Sequence, residues 1–263
     1  MIRIGIGGWT FEPWRGVFYP ADLKQKDELS FASRALKTIE INGTYYSSFK
    51  PDSWRKWRDE TPDGFVFTVK GSRFTTNRRV LAEAGESIER FMGQGMSELG
   101  DKLGPIFWQF APTKKFDPQD FGAFLALLPK TLDGKPLRHA VEVRHDSFSD
   151  PAFAALLRAH DVACVLADHA TYPEIADLTA GFAYLRLQTG SDDIDTAYKA
   201  KDLDLWAARM AAMARGEEPE GLSKADPATK AKASPRDVFA FVIHEGKVRA
   251  PAAAQALQAR VDG

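Results

Sequence analysis

The most constraining feature of the sequence is a set of eight short apolar runs that are bounded by turn residues and carry polar side chains toward their C-terminal ends. These runs are Ile2 to Trp9, Thr38 to Asn42, Phe65 to Lys70, Ile106 to Phe110, His139 to His145, Ala163 to Asp168, Ala183 to Gln188 and Phe239 to His244. Successive strand side chains point to opposite faces, so each run has one apolar face. Parallel strands need such a face, because helices cover one side of a barrel while polar groups gather at its C-terminal mouth. The runs therefore predict a single-domain TIM-type (β/α)8 barrel, an α/β fold.

The run from His139 to His145 combines this pattern with a charged pair. Val141 and Val143 share one predicted face, whereas Glu142 and Arg144 share the other with Ala140. An edge strand with a solvated polar face would show the same alternation. The seven other runs favour a barrel strand instead, and they place Glu142 and Arg144 together in the lumen.

Length and composition agree with one domain over residues 1–263. A barrel of about 250 residues is typical, and this chain has 263 residues that are 44% hydrophobic with a net charge of -1. So small a charge gives no overall attraction to nucleic acid or to an anionic membrane. The single Cys164 excludes an intrachain disulfide and a multi-cysteine zinc cluster. No signal peptide or membrane-spanning apolar stretch is present, so a cytoplasmic protein is expected.

Two stretches depart from the regular barrel pattern. Residues Thr171 to Gly181 are too few for a full crossover helix, so one helix of the barrel is expected to be degenerate. Residues 216–235 are rich in Glu, Lys, Pro and Ala and offer little to bury, which predicts a mobile loop inserted before the last strand. On the predicted helix after the second run, Trp54 and Trp57 lie three residues apart and are expected to pack on the sheet.

The candidate site consists of the polar and aromatic residues that the alternation places at the mouth. The catalytic candidates are Glu142 and Asp168, which end neighbouring runs. The substrate-binding candidates are Trp9, Asn42, Tyr45, Lys70, Arg73, Gln109, Arg144, Arg186, Gln188 and His244. Lys70 ends a run whose other face is apolar, and a buried lysine there must find an anion or lose its proton.

Several motifs, taken together, resemble the DUF72 family of YecE-like TIM barrels. The stretches that carry the resemblance are residues 5–14 (GIGGWTFEPW), 39–42 (IEIN), 44–46 (TYY), 65–70 (FVFTVK), 103–110 (LGPIFWQF), 140–144 (AVEVR) and 184–187 (YLRL). The resemblance implies a barrel with a polar, aromatic-lined mouth and implies no particular reaction. The sequence departs from the family where Asn77 and Gln188 replace a frequent histidine. It departs again at Val242 to His244, where many relatives have an aromatic residue followed by asparagines, so histidine-dependent chemistry loses support.

The residues expected at this mouth are compatible with several chemistries. A metal site would need convergence of Glu40, Glu142, Asp168, His169 and His244, but no paired-histidine spacing supports it, so no metal is predicted. No dinucleotide or P-loop fingerprint is present, and no cofactor is predicted. Glu142 and Asp168 suit glycosidase-type acid/base work. The alternative is a purely structural ring of ion pairs that neutralises itself. A Ser-His-Asp site has no nucleophile-elbow motif to support it.

The preferred hypothesis is an anion clamp of Lys70, Arg144 and Arg186 that binds a small phosphorylated or carboxylated sugar-like compound. Glu142, with Asp168, would then supply general acid or base catalysis. Binding or processing of nucleic acid along a track of basic residues that includes Arg73 is the second hypothesis. A ligand-binding protein without turnover is the third. The salt dependence of binding distinguishes the first two hypotheses. Several phosphate contacts make the affinity for nucleic acid fall steeply with salt concentration, whereas a buried small-anion site responds weakly.

Overall fold

The computed structural model describes all 263 residues as a closed barrel of eight parallel strands. In chain order the strands are β1 (Ile2–Gly7), β2 (Thr38–Ile41), β3 (Val66–Lys70), β4 (Leu103–Gln109), β5 (His139–Glu142), β6 (Val162–Asp168), β7 (Phe182–Thr189) and β8 (Asp237–Glu245). Each strand pairs with its neighbours in sequence, and β8 closes the barrel on β1 through pairs such as Ala240 with Ile4. The predicted TIM-type barrel is confirmed.

Eight α-helices connect or follow the strands. They are α1 (Glu28–Ala35), α2 (Pro51–Glu60), α3 (Arg73–Thr76), α4 (Gly85–Met92), α5 (Pro118–Leu127), α6 (Pro151–Ala159), α7 (Ala200–Arg215) and α8 (Ala250–Asp262). At the start of α5 and α6, Asp117 and Asp150 accept hydrogen bonds from backbone amides of the first turn. The proline that follows each has no amide hydrogen to leave unpaired, so both starts are stable. None of these helices has the length and apolar character that crossing a membrane requires.

The strand side chains divide into an outer layer under the helices and an inner layer in the lumen. On β6 and β8 the predicted inner and outer faces are wrong. The lumen cluster contains Ala163, Val165, Phe239, Phe241 and Ile243, whereas Cys164, Leu166, Val238, Ala240 and Val242 belong to the outer core. Both faces of these strands are apolar, so alternation alone does not tell which one points inward. On β8 the register also shifts after Val242, which moves the strand end out of the simple pattern.

The helix expected to be degenerate is absent, because residues 169–181 connect β6 to β7 without an α-helix. The outer face of β6, which a helix would otherwise cover, is covered by buried side chains of this connection and of the segment before β8, namely Ile175, Ala176, Leu178 and Ala225. Arg158 on α6 ties the two together through Asp177 (2.9 Å) and Asp226 (2.6 Å). Within residues 216–235 only Gly216, Ala225 and Asp226 are buried, so the segment buries little, as expected, and its mobility stays a prediction.

The lumen changes from apolar to polar toward the C-terminal ends of the strands. Phe107 stacks on Tyr184 with ring centroids 5.3 Å apart, and the ring centroid of Phe241 lies 5.2 Å from that of Tyr184. Charged side chains from β2, β5 and β7 lie above this aromatic layer. Gly7 leaves space beside them, since a Cβ there would come within 2.7 Å of the Asn42 side-chain nitrogen. The aromatic layer thus forms a water-poor floor under an ionic mouth.

Candidate functional site

A cavity of about 870 Å³ opens at the C-terminal ends of the strands. Eight of the residues predicted from the sequence line it: Trp9, Asn42, Lys70, Gln109, Arg144, Arg186, Gln188 and His244. They come from seven of the eight strands or the loops that follow them, and the barrel closure brings them together. The predicted mouth is thus a single pocket, of a size usual for small-molecule sites.

Glu142 lies directly beneath this cavity and organises its cationic side. Its side chain is fully buried, and one carboxylate oxygen accepts hydrogen bonds from Gln109 Nε2 (2.8 Å) and Arg144 Nε (2.6 Å). The other oxygen accepts from Arg186 Nη1 at 2.5 Å. Burial raises the pKa of Glu142, but the charges and hydrogen bonds of Arg186 and Arg144 outweigh burial and lower the pKa to about 2. Glu142 is therefore a permanent anion near neutral pH.

A second buried carboxylate, Glu40, was not among the site residues predicted from the sequence. Its Oε1 accepts a hydrogen bond from Arg186 Nη2 at 3.1 Å, and its Oε2 accepts from the Tyr184 hydroxyl at 2.6 Å. Tyr184 also lies 3.0 Å from the Thr68 hydroxyl. Alternation had placed Glu40 on the lumen face of its strand, so the signal was present. The sequence did not indicate that Arg186 donates hydrogen bonds to both Glu40 and Glu142.

Lys70 is the more buried of the two lysines that line the mouth, and it has no carboxylate partner. Its side chain is 9% exposed, and its ammonium makes no hydrogen bond or ion pair within the protein. The Nζ atom lies 4.4 Å from the Tyr45 ring centroid and 5.9 Å from that of Phe107. Burial, aided by the charge of Arg186, lowers the pKa of Lys70 to about 8. The protein therefore supplies no anion to this buried ammonium, and the lowered pKa is the consequence.

Charge and hydrogen-bonding capacity both favour an anion in the cavity. Three cations, Lys70, Arg144 and Arg186, face the carboxylates Glu40 and Glu142, which leaves one excess positive charge while Lys70 is protonated. Two buried donors, Arg186 Nε and Gln188 Nε2, have no acceptor in the protein. Both atoms are closed off from solvent, so the donors that an anion in the cavity could reach are the terminal nitrogens of Arg144, which have no acceptor in the protein.

Arg144 is held by an aromatic residue that the sequence did not single out. Its guanidinium lies 4.5 Å from the ring centroid of Tyr172, which in turn stacks on His169 at 3.6 Å. His244 lies 5.9 Å from His169 and completes this rim. Tyr172 and His169 belong to the irregular connection after β6, where periodicity carries no information, so only the tertiary structure reveals this contact.

Trp9 and Trp57 provide the apolar wall of the cavity. Their ring centroids lie 5.2 Å apart with an edge-to-face arrangement. Trp54 is fully buried, as expected from the sequence, whereas Trp57 reaches past the sheet and also lines the mouth. Indole rings in a cavity wall offer apolar surface against which a ring-shaped ligand can pack.

Two predicted binding residues lie beside the cavity rather than in its lining. Tyr45 covers the ammonium of Lys70 from the loop after β2. Arg73 begins the short helix α3 on the exposed rim, where its guanidinium lies 5.7 Å from the Tyr46 ring and 5.4 Å from the Phe74 ring. Arg73 thus belongs to an outer basic and aromatic surface next to the mouth.

Asp168, the second predicted catalytic residue, does not join Glu142. It lines a separate cavity of about 380 Å³ with Trp206 and Arg209 of α7, and it accepts a hydrogen bond from the Thr189 hydroxyl at 2.6 Å. Asp168 points away from the mouth because it shares its face of β6 with the outward-facing Leu166. The paired-carboxylate arrangement predicted for glycosidase-type chemistry is therefore absent. No group of three or more His, Cys, Asp or Glu side chains is placed to hold a metal ion.

The fold and the mouth define a TIM-barrel protein with a cationic, aromatic-walled pocket at the C-terminal ends of its strands. The chain belongs to the DUF72 family, described as a protein of unknown function, whose family model matches residues 3–263. Among curated proteins it is similar to the UPF0759 protein YecE of Escherichia coli, with 28% identity over 148 residues. That match spans 56% of this chain and 50% of YecE, so the aligned part is about half the length of the curated relative.

Solved structures of the family share the whole barrel. A DUF72 family protein from Thermotoga maritima matches with a TM-score of 0.71 and 22% identity, covering 98% of this chain and 97% of the other. A DUF72 family protein from Enterococcus faecalis matches with a TM-score of 0.72 and 16% identity, covering 100% and 96%. A structure of SacUVDE matches more distantly, with a TM-score of 0.51 and 10% identity over 98% and 99% of the two chains. At these identities the similarities establish the fold alone.

Proposed function

We propose that the mouth binds a small sugar-like compound carrying a phosphate or carboxylate group. The observation that carries this proposal is the buried ammonium of Lys70, which faces the cavity without any acceptor. Burying an unpaired charge is costly, and a ligand oxyanion would offset that cost. Arg144 strengthens the site, because only its Nε donates to Glu142 and its terminal nitrogens have no protein acceptor.

The dimensions and the walls of the cavity support a compact ligand. About 870 Å³ lies within the range of roughly 300 to 1,000 Å³ typical of small-molecule sites. Trp9 and Trp57 form an apolar wall opposite the charged side. An anionic group bound at Lys70 and Arg144 would let the ring of a sugar-like compound pack on these indoles.

Within this proposal Glu142 is a positioning residue for the two arginines. A carboxylate that has a pKa of about 2 and accepts three hydrogen bonds is a poor general acid or base near neutral pH. The pKa of Lys70, about 8, lies much nearer to neutrality. If the bound compound is converted, we therefore assign proton exchange to Lys70 and not to the predicted acid/base pair of Glu142 and Asp168.

Ligand-induced thermal stabilisation and calorimetry test the binding proposal. Inorganic phosphate and glucose 6-phosphate are expected to raise the melting temperature of the wild type, whereas glucose leaves it unchanged. Lys70→Met is expected to abolish the shift. Lys130→Met is the matched control, because Lys130 is exposed and precedes β5 at the opposite end of the barrel. Equal shifts in both variants, or none in the wild type, would contradict the proposal.

Nucleic-acid binding is the second candidate, and it rests on the outer surface formed by Tyr46, Arg73 and Phe74. Tyr46 is 61% exposed and Phe74 is 62% exposed, and the guanidinium of Arg73 lies near both rings. Exposed aromatic rings beside arginine are typical of single-strand stacking platforms. Such binding would weaken steeply with salt, whereas binding in the buried mouth responds weakly. Loss of oligonucleotide binding in Phe74→Ala, with phosphate binding retained, would favour this second function.

A further inference from the structure

Lys70 is the more buried of the two lysines that line the cavity, and neither its ammonium nor that of Lys247, which lies 4.1 Å from the Phe11 ring centroid, has an acceptor in the protein. Lys102 donates three hydrogen bonds, to Arg58 O, Thr61 O and Thr61 Oγ1, at 2.6 to 3.1 Å, so its ammonium is satisfied. Lys70 has no acceptor and lies between the rings of Tyr45 and Phe107 at the edge of the cavity. An amine in such a place is accessible to a small ligand and is not engaged by the protein.

We propose that Lys70 is a nucleophile that forms a protonated imine with a carbonyl group of the anionic compound in the mouth. This inference rests on the proposed function, because the anionic group bound beside Lys70 would be held by the terminal nitrogens of Arg144 while the Lys70 nitrogen reacts. It narrows the substrate class to phosphorylated or carboxylated aldehydes and ketones. Such compounds include the open-chain forms of sugar phosphates and small oxo acids.

The electrostatic surroundings make the free amine accessible near neutral pH. The charged groups that act on Lys70 are Arg186 and Arg144, which disfavour the ammonium, and Glu40 and Glu142, which favour it. Burial adds the largest effect and, with the arginines, lowers the pKa of Lys70 to about 8. At pH 7 about a tenth of the molecules would carry the free amine, against well under a thousandth for an ordinary lysine.

Imine formation is balanced in atoms and in charge. The ammonium of Lys70 first loses one proton to solvent in the open cavity, and the amine lone pair then forms a bond to the carbonyl carbon. The carbonyl oxygen takes up this proton and one further nitrogen-bound hydrogen, and it leaves as water when its bond to carbon breaks. The nitrogen retains one hydrogen and a positive charge. One cation thus replaces another, so the charge balance around Glu40 and Glu142 is preserved.

The protonated imine would serve as an electron sink for the bound compound. Its positive charge favours loss of a proton or a carbon group from the carbon next to the former carbonyl. The aromatic floor formed by Phe107 and Tyr184 excludes water beneath the reacting atoms and protects the imine from hydrolysis. Reactions of this class include aldol cleavage, decarboxylation and isomerisation, and they need no metal or bound cofactor to start.

Reductive trapping tests the inference directly. The full-length protein is incubated with sodium cyanoborohydride and either glyoxylate or dihydroxyacetone phosphate, and the modified lysines are identified by peptide mass spectrometry. Lys70 is expected to be modified about tenfold faster than the exposed lysines, since its larger free-amine fraction outweighs its lower basicity. Inorganic phosphate should suppress this labelling, and propionaldehyde, which lacks an anionic group, should not label Lys70 selectively.

Two variants keep the outcome interpretable. Lys70→Met removes the amine, whereas Lys70→Arg retains a cation that can bind an anion but cannot form an imine. Loss of selective labelling in both variants, with phosphate stabilisation retained in Lys70→Arg, supports the inference. Modification spread over exposed lysines while phosphate still stabilises the wild type would overturn the imine and leave anion binding intact. Selective modification of Lys247, the other lysine that lines the cavity, would overturn the assignment to Lys70. Absence of both labelling and phosphate stabilisation would overturn both proposals.

Discussion

Replacement of Glu142 by Gln tests the electrostatic centre of the mouth, because it keeps the side-chain volume and removes one charge. Glu142 is fully buried and accepts hydrogen bonds from Gln109, Arg144 and Arg186. In the variant, Arg186 keeps its pairing with Glu40 at 3.1 Å, whereas Arg144 loses its only carboxylate partner. We therefore expect a folded protein of lower stability, with Arg144 displaced from its position over Tyr172.

The magnitude follows from the pKa of Glu142, which is lowered from 4.5 to about 2. Each pKa unit corresponds to about 1.4 kcal/mol, so the ionised form contributes about 3 kcal/mol to the free energy of unfolding at pH 7. This value is at the lower end of the ~3 to 5 kcal/mol for a broken buried ion pair, as expected because one partner remains paired. For a domain of this size it lowers the melting temperature by about 5 to 10 °C.

The sign of the pH dependence provides an independent check. The pKa of Glu142 is lower in the folded than in the unfolded state, so its contribution is complete above pH 4.5 and is lost as the pH falls through about 2. The difference between the wild type and Glu142→Gln is expected to shrink from about 3 kcal/mol at pH 7 to about 1.4 kcal/mol at pH 3.

Urea unfolding at pH 7 and pH 3 measures this difference. Glu86→Gln is the matched control, since the Glu86 side chain is 83% exposed and its contact with Arg90 is 3.7 Å long. The control is expected to match the wild type at both pH values. A difference for Glu142→Gln below about 1 kcal/mol at pH 7, or one that does not change with pH, would refute the assigned role of the buried pair.

Three further predictions address the unpaired lysine, the wall of the mouth at Gly7 and the segment before β8. Lys70→Met is expected to raise the free energy of unfolding by about 1 to 3 kcal/mol at pH 7, because the pKa of Lys70 is about 8 in the fold and 10.5 otherwise. This gain in the free energy of unfolding should decrease as the pH rises from 8 to 10.5, because the wild-type lysine then loses its proton. Equal gains at pH 7 and pH 10 in urea unfolding would contradict the burial of an unpaired ammonium. Gly7→Ala is expected to lower the free energy of unfolding in urea by about 1 to 3 kcal/mol and to weaken phosphate binding, since the added Cβ would lie 2.7 Å from Asn42 and 3.0 Å from Ile243. Unchanged stability and binding would show that Asn42 and Ile243 move aside without cost. Limited proteolysis is expected to cut first within residues 216–235 and to cut faster in Asp177→Asn, which weakens the contacts of Asp177 with Arg158 (2.9 Å) and the amide of Ala225 (2.7 Å). A first cut elsewhere, or an unchanged rate in this variant, would mean that these contacts do not hold the segment.

The sequence by itself determined the barrel and much of its mouth. On β2, β3, β4, β5 and β7 one face is apolar and the other ends in a polar side chain, so alternation placed Asn42, Lys70, Gln109, Glu142 and Arg186 correctly at the mouth. The physical reason is that side-chain direction in a strand has a period of two, so on these strands the polar residue points to the opposite face from the apolar residues beside it.

The tertiary structure decided what this local rule cannot express. Asp168 was misplaced because both faces of β6 are apolar, and Tyr172 reached Arg144 from a loop without any period. The bridging of Glu40 and Glu142 by Arg186 depends on side chains from β2, β5 and β7, which only barrel closure brings into contact. The same closure decides that Lys70 is left without a partner, because hydrogen bonding and charge pairing are properties of the assembled site and not of any one strand.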